Sequence, residues 1–158
     1  MTTTMLRAGA LLLAVIGLSG CMSHFGDPVG SNIDLGGTLS GAQERPPTDS
    51  EAGGYLTALY STSTHIFKWR LVVNGLSSPI RRAEFHGPDT LGEDAALVEL
   101  NQPFDGTTHN GSATLTPQQA ADLLAGRWYI NIKTEKFPGG EIRGAVTVSG
   151  RRPSKPAS

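Results

Sequence analysis

The chain has 158 residues, and its 13 basic and 14 acidic side chains leave a formal net charge of −1. That balance argues against a strongly cationic nucleic-acid binder, and a single cysteine excludes an internal disulfide or a thiolate metal cluster. With 20 Gly, 10 Pro and only 17 % charged residues, the composition points to a turn-rich, all-β domain.

Residues 1–20 read as a targeting segment. Arg7 is the only charge, and an apolar run of about eleven residues from Ala8 to Leu18 follows it. This is short of the about 20 residues that a permanent membrane helix needs, and the pattern is that of a secretory signal peptide. Leu18-Ser19-Gly20-Cys21 resembles a bacterial lipobox, and the lone cysteine sits at the position that would carry the diacylglycerol. The resemblance implies a chain tethered to the membrane through lipid on Cys21. Met22 stands where an inner-membrane retention signal would be Asp, so the outer membrane, on its periplasmic side, is expected in a cell that has one. The other reading of Cys21 is a buried thiol after an ordinary signal peptide.

Residues 21–33 follow as the lipidated N-terminus and a flexible Gly/Ser/Pro-containing tether. A β domain is expected over 34–149, where apolar residues recur mostly every second position. Leu35–Leu39 is the first candidate strand, and Tyr55–Ser61 the second. Ile66–Val73 places Phe67, Trp69, Leu71 and Val73 on one face and Lys68 and Arg70 on the other. Asn74-Gly75 follows as a tight-turn dipeptide. Ile80–His86, Ala95–Leu100 and Gly111–Leu115 are three more short strands. Over residues 117–125 a helix is expected, with Thr116 and Gln119 as a capping box and Pro117 at its first position. It would bury Ala121 and Leu124 and end at Gly126. Trp128–Thr134 alternates, with Trp128, Ile130 and Ile132 on one face and Tyr129, Asn131 and Lys133 on the other. Ile142–Val148 completes the series with Ile142, Val146 and Val148 inward. Residues 150–158 are expected as a disordered basic tail. About eight strands with one short helix predict a Greek-key β-sandwich or barrel.

Several segments together resemble the CHRD (chordin-type) domain family. They are Leu39-Ser40-Gly41-Ala42-Gln43-Glu44-Arg45-Pro46-Pro47, Gly53-Gly54, Ala83-Glu84-Phe85-His86-Gly87-Pro88, Leu115-Thr116, Leu124-Ala125-Gly126, Tyr129–Thr134 and Phe137-Pro138-Gly139-Gly140-Glu141-Ile142-Arg143-Gly144. They occur in the family's order over roughly residues 39–146. The resemblance implies a β-sandwich-like domain of extracellular and envelope proteins, without a defined activity in bacteria.

Where the family carries histidines, this chain has Glu84 and Lys133, and only His86 remains of that set. A lysine ammonium has no lone pair to offer a metal. Glu84 and Lys133 are therefore expected either to pair with each other or simply to face solvent. In the first case they belong to a polar cluster with His86, Tyr129, Asn131, Glu141 and Arg143. Glu141 and Arg143, two apart, are expected on one face of a strand, paired with each other or with neighbouring strands. The alternative function is copper or zinc binding of a dismutase-like kind by His86 with Glu84 and Asp89, or with His65 or His109. No G-x-S-x-G elbow or phosphate loop occurs. The leading expectation is a non-catalytic envelope lipoprotein needing no cofactor. Its partner would be an unidentified envelope protein or glycan, met through the loops Gln43–Glu51 and Phe85–Asp94.

Overall fold

A computed structural model describes residues 31–88, 96–100, 104 and 107–153. The targeting segment, Cys21, Asp89, most of the 85–94 loop and the last five residues lie outside the described residues. Among those described, the strands are β1 (Ser31–Ser40), β2 (Gly53–Ser61), β3 (Ile66–Asn74), β4 (Ile80–His86), β5 (Ala96–Glu99), β6 (Thr108–Thr114), β7 (Trp128–Thr134) and β8 (Ile142–Pro153). One helix, α1, spans Pro117–Leu124.

All strand pairs are antiparallel, and the eight form one sheet in the order β5-β4-β7-β8-β1-β2-β3-β6. The sheet folds over until it is nearly closed. Phe67 and Trp69 of β3 meet Phe85 of β4 at 5.2 and 5.1 Å between ring centroids, and Phe67 meets Trp128 of β7 at 5.8 Å. These edge-on aromatic contacts join strands that are far apart in sheet order, so the core is the space inside the fold. The expected fold class, all-β with one short helix, is the observed one.

The period-2 pattern decides which residues fill that space. Phe67, Leu71, Ile130, Ile132, Ile142 and Val146 are all essentially inaccessible. Helix α1 closes one side of the core, and its capping box forms as expected. Thr116 Oγ1 accepts from the Gln119 amide, and Gln119 Oε1 accepts from the Thr116 amide. Gly126 follows with φ of 70°.

Four local expectations are corrected. The helix buries Ala120 and Leu123, while Ala121 is exposed and Leu124 only half-buried. Its apolar face is thus set one residue earlier than the sequence pattern suggested. Val148 is 46 % exposed: β7 begins at Trp128, opposite Val146, so no strand flanks Val148 on that side. Asn74-Gly75 does not close a hairpin. Gly75 has φ of 71°, but β3 pairs with β2 and β6, and the chain after Gly75 crosses to β4 on the other side of the fold. Finally, the domain is longer at both ends than 34–149. Ser31 pairs with Pro153 and Asn32 with Arg152, and Ile33, expected in the tether, is buried. The terminal strands supply each other's backbone partners, which neither segment reveals alone.

Candidate functional site

Outside the sheet, on β4, β7 and β8, lies a layer of polar side chains that is nearly as buried as the core. The alternation that sends Ala83 and Phe85 inward sends Glu84 and His86 outward, yet these two are only 3 % and 2 % exposed. Lys133 Nζ lies 3.1 Å from Glu84 Oε2, Arg82 Nη1 3.6 Å from Glu84 Oε1, and His86 Nε2 3.5 Å from Glu84 Oε2. The two residues that stand at family histidine positions therefore form an ion pair. A buried charge of this kind is tolerated because a cation meets it at close range.

Beside this pair Tyr129 is held between neighbours on the two flanking strands. The His86 ring stacks on it with centroids 4.9 Å apart and planes within 9°. The Arg143 guanidinium carbon lies 3.4 Å from its ring centroid, a cation–π geometry. Asn131, between Tyr129 and Lys133 on this face, donates to the Gly139 carbonyl at 3.4 Å.

The sequence reading missed one member of the layer. Glu44, in the loop after the short 3-10 turn Gly41–Gln43, is 5 % exposed. Burial raises its carboxyl to about 7, with the Arg143 guanidinium, the Arg45 amide and the Lys133 ammonium pulling the other way. Its Oε1 and the Asn131 Oδ1 flank Gly140, and a Cβ at Gly140 would lie 2.6 Å from each. With φ of 145° at Gly140, only glycine suits this position. The signal in the sequence was the acid itself, set directly before Arg45-Pro46-Pro47 in the opening motif.

Glu141 does not belong to the layer, which corrects the expectation that it shares a face with Arg143. It lies one residue before β8, where strand alternation does not apply, and it is fully buried. Its carboxylate accepts from Ser50 Oγ (2.7 Å), the Ser77 amide (2.9 Å), Ser77 Oγ (3.0 Å) and Thr134 Oγ1 (2.7 Å). Thr48 Oγ1 donates to its carbonyl at 2.9 Å. Burial pushes this acid up, but the hydrogen bonds from Thr134, Ser50 and Ser77 more than offset it, and its pKa ends below the ordinary value. One carboxylate thus ties the β1–β2 loop, the β3–β4 crossing and the end of β7 to the start of β8.

The described histidines do not assemble. His65 Nδ1 lies 3.0 Å from Tyr60 Oη, and the Trp69 indole donates to His109 Nδ1 at 3.3 Å. Both are tied to residues of β2 or β3, whereas His86 stacks on Tyr129 of β7. Among the described residues no group of three His, Cys, Asp or Glu side chains can hold a metal ion, so nothing here supports the metal-binding alternative.

A groove of about 490 Å³ runs between Glu44–Asp49 and Lys136–Gly140. Pro46, Pro47, Phe137 and Pro138 supply its apolar surface, and Arg45, Asp49 and Lys136 its charges. Part of the expected Gln43–Glu51 surface therefore forms one wall, and the Phe-Pro-Gly-Gly turn forms the other. The second expected surface contributes little among the described residues, because Phe85 and His86 are buried within β4.

An antiparallel sheet closed over aromatic side chains, with a salt-bridged outer layer and a groove at one end, defines a small all-β binding or structural domain. A family model for the CHRD domain matches residues 35–146. The chain belongs to the CHRD family, a non-enzymatic domain family. Neither a curated protein nor a solved structure matches the chain significantly.

Proposed function

We propose that this protein is an envelope lipoprotein, held to the membrane by lipid on Cys21, whose non-catalytic CHRD domain engages an envelope protein or glycan through the groove between Glu44–Asp49 and Lys136–Gly140. The observation that carries the reading is the position of the groove relative to the chain's point of entry. Strand β1 enters at Ser31 and leads straight to Ser40, at the foot of the groove loop. Ten residues of strand at about 3.4 Å each put roughly 30 Å between these ends. A domain anchored ahead of Ser31 would present the groove on the side away from the membrane. The two motif segments that form the walls lie about 90 residues apart in the chain and meet only there. Two acyl chains hold a protein far better than one, so lipid on a single cysteine suffices as the anchor.

Two measurements test this. Cys21→Ser is expected to abolish incorporation of labelled palmitate and to move the protein out of the membrane fraction; unchanged fractionation refutes the anchor. A photo-crosslinker at Pro47 is expected to capture an envelope component that one at Lys68, on the exposed face of β3, does not. Equal capture from both positions refutes the groove.

A further inference from the structure

Glu44 stands where the two walls of the groove meet. Glu44, Arg45 and Pro47 line both the groove of about 490 Å³ and a second cavity of about 500 Å³ bounded by Tyr129 and Arg143, so this short segment is the partition between the two. Its ends are pinned to one atom: the amides of Glu44 and Thr48 both donate to the Gly41 carbonyl, at 3.1 and 3.0 Å. Between these anchors Arg45, Pro46 and Pro47 are exposed, and the prolines have no amide with which to hold the segment down.

The other wall presents the Gly139–Gly140 turn, backed by Asn131. Among the described residues neither Glu44 Oε1 nor Asn131 Oδ1 has a hydrogen-bond partner, and both atoms are shut away from solvent. They converge on Gly140, each 2.6 Å from the place a Cβ would take there. Two buried acceptors facing one position cost free energy unless a proton lies between them. The Asn131 amide does not supply it. Its nitrogen donates to the Gly139 carbonyl at 3.4 Å, and turning the amide over would set Oδ1 against that carbonyl. The charged and titratable groups around Glu44 are Lys133 and Tyr129 on β7, Arg143 on β8, Arg45 and Asp49 on its own loop, and Lys136 on the facing wall. Lys133 meets Glu84 at 3.1 Å, and Arg143 lies over the Tyr129 ring.

We infer that Glu44 donates a proton to Asn131 Oδ1 and so latches the two walls of the groove, and that loss of this proton frees the Glu44–Pro47 segment and opens the groove into the second cavity. Once ionised, the Glu44 carboxylate is an acceptor set against an acceptor, and its charge draws it toward water. Only the two anchors on Gly41 then restrain the segment within the loop. The switch lies near neutral pH, because burial raises this carboxyl to about 7 against the pull of Arg143, the Arg45 amide and Lys133. The groove is therefore closed on the acid side and open on the alkaline side. Its bearing on binding rests on the groove being the docking site; the latch itself does not.

The test is a distance across the groove. The full-length chain carrying Cys21→Ser receives one spin label through Pro47→Cys, on the partition. It receives a second through Lys136→Cys, on the facing wall, where the Lys136 amide is held by Ser78 Oγ at 2.8 Å. The interlabel distance is expected to lengthen and broaden between about pH 5.5 and about pH 8.5 as Glu44 ionises. With Glu44→Gln added, the side-chain amide donates in place of the acid proton, and the distance should stay short throughout. Asp49→Asn, which removes the other acid of this wall, should leave the lengthening intact. Circular dichroism at each pH establishes that the strands persist. In the unlabelled chain the Thr48 amide should lose about tenfold or more of its protection from hydrogen exchange over the same range, after correction for base catalysis, and should keep it in Glu44→Gln. A distance and a Thr48 protection that do not change with pH, or that change equally in Glu44→Gln, overturn the latch. Selective capture through Pro47 with a fixed distance retains the docking site and overturns the latch; a moving distance without capture does the reverse.

Discussion

Replacing Glu44 with glutamine should make the protein more stable at mildly alkaline pH and remove a pH dependence that the wild type shows. The folded carboxyl titrates at about 7 against an ordinary 4.5, so between those values the native state binds a proton that the unfolded state has released. Stability from this group is fully present below pH 4.5 and is lost as pH rises through about 7. Each pH unit between the two values is worth about 1.4 kcal/mol, so the loss by about pH 8 is about 3 kcal/mol. Glutamine keeps the shape of the protonated acid and has no charge to desolvate. In a domain of this size 3 kcal/mol corresponds to a change of roughly 10 °C in melting temperature. The assay is thermal and urea unfolding of both proteins from about pH 4.5 to pH 8. The difference between the two curves isolates Glu44 from every other titrating group. Parallel curves across that range would show that Glu44 is ionised at its ordinary pKa and that the burial argument is wrong.

Other substitutions probe the rest of the structure. Glu141→Gln presents an amide to the hydroxyl and amide donors of Ser50, Ser77 and Thr134, and a loss of about 3 kcal/mol of stability is expected, read as a lower urea midpoint. Because the Glu141 pKa is held below 4.5, its contribution should fade only as the wild type is acidified beneath that value, opposite in sign to Glu44. Gly140→Ala forces a Cβ to within 2.6 Å of Asn131 Oδ1 and Glu44 Oε1. It should cost about 2 kcal/mol and return Glu44 toward its ordinary titration, readable by carbon NMR of the carboxyl. Lys133→Met leaves the buried Glu84 carboxylate with only its longer contacts to Arg82 and His86 and should cost up to about 3 kcal/mol, whereas Glu84→Leu with Lys133→Met should recover most of it. Strict additivity in that double-mutant cycle would show that the 3.1 Å contact carries no coupling.

Much of the fold was legible because the inward residues of its strands recur mostly at every second position. Ile80–His86 and Trp128–Thr134 have the expected bounds, and the capping box marks the helix start without help from tertiary structure. Failures fall where partners remote in sequence decide the outcome. The extension of β1 and β8 depends on their pairing with each other, and Val148 is exposed for lack of a neighbour. The pairing of Glu84 with Lys133 was readable because both replace histidines that the family pattern places together. The role of Glu141 was not, since its partners Ser50 and Ser77 sit in loops whose spacing says nothing about where their hydroxyls point. Glu44 was hidden for a related reason. A lone acid in a loop looks like ordinary surface until the backbone bends around it.

The placement of β1 bears on how the molecule would respond to force. It lies inside the sheet, zipped to β2 along one edge and to β8 along the other. Tension applied ahead of Ser31 and resisted by a partner in the groove would run along the strand's own length. Both ladders would then be loaded in shear, with many hydrogen bonds strained at once rather than peeled one by one. Force along this axis would therefore meet more resistance than force that peels an edge strand such as β5 or β6 from the sheet.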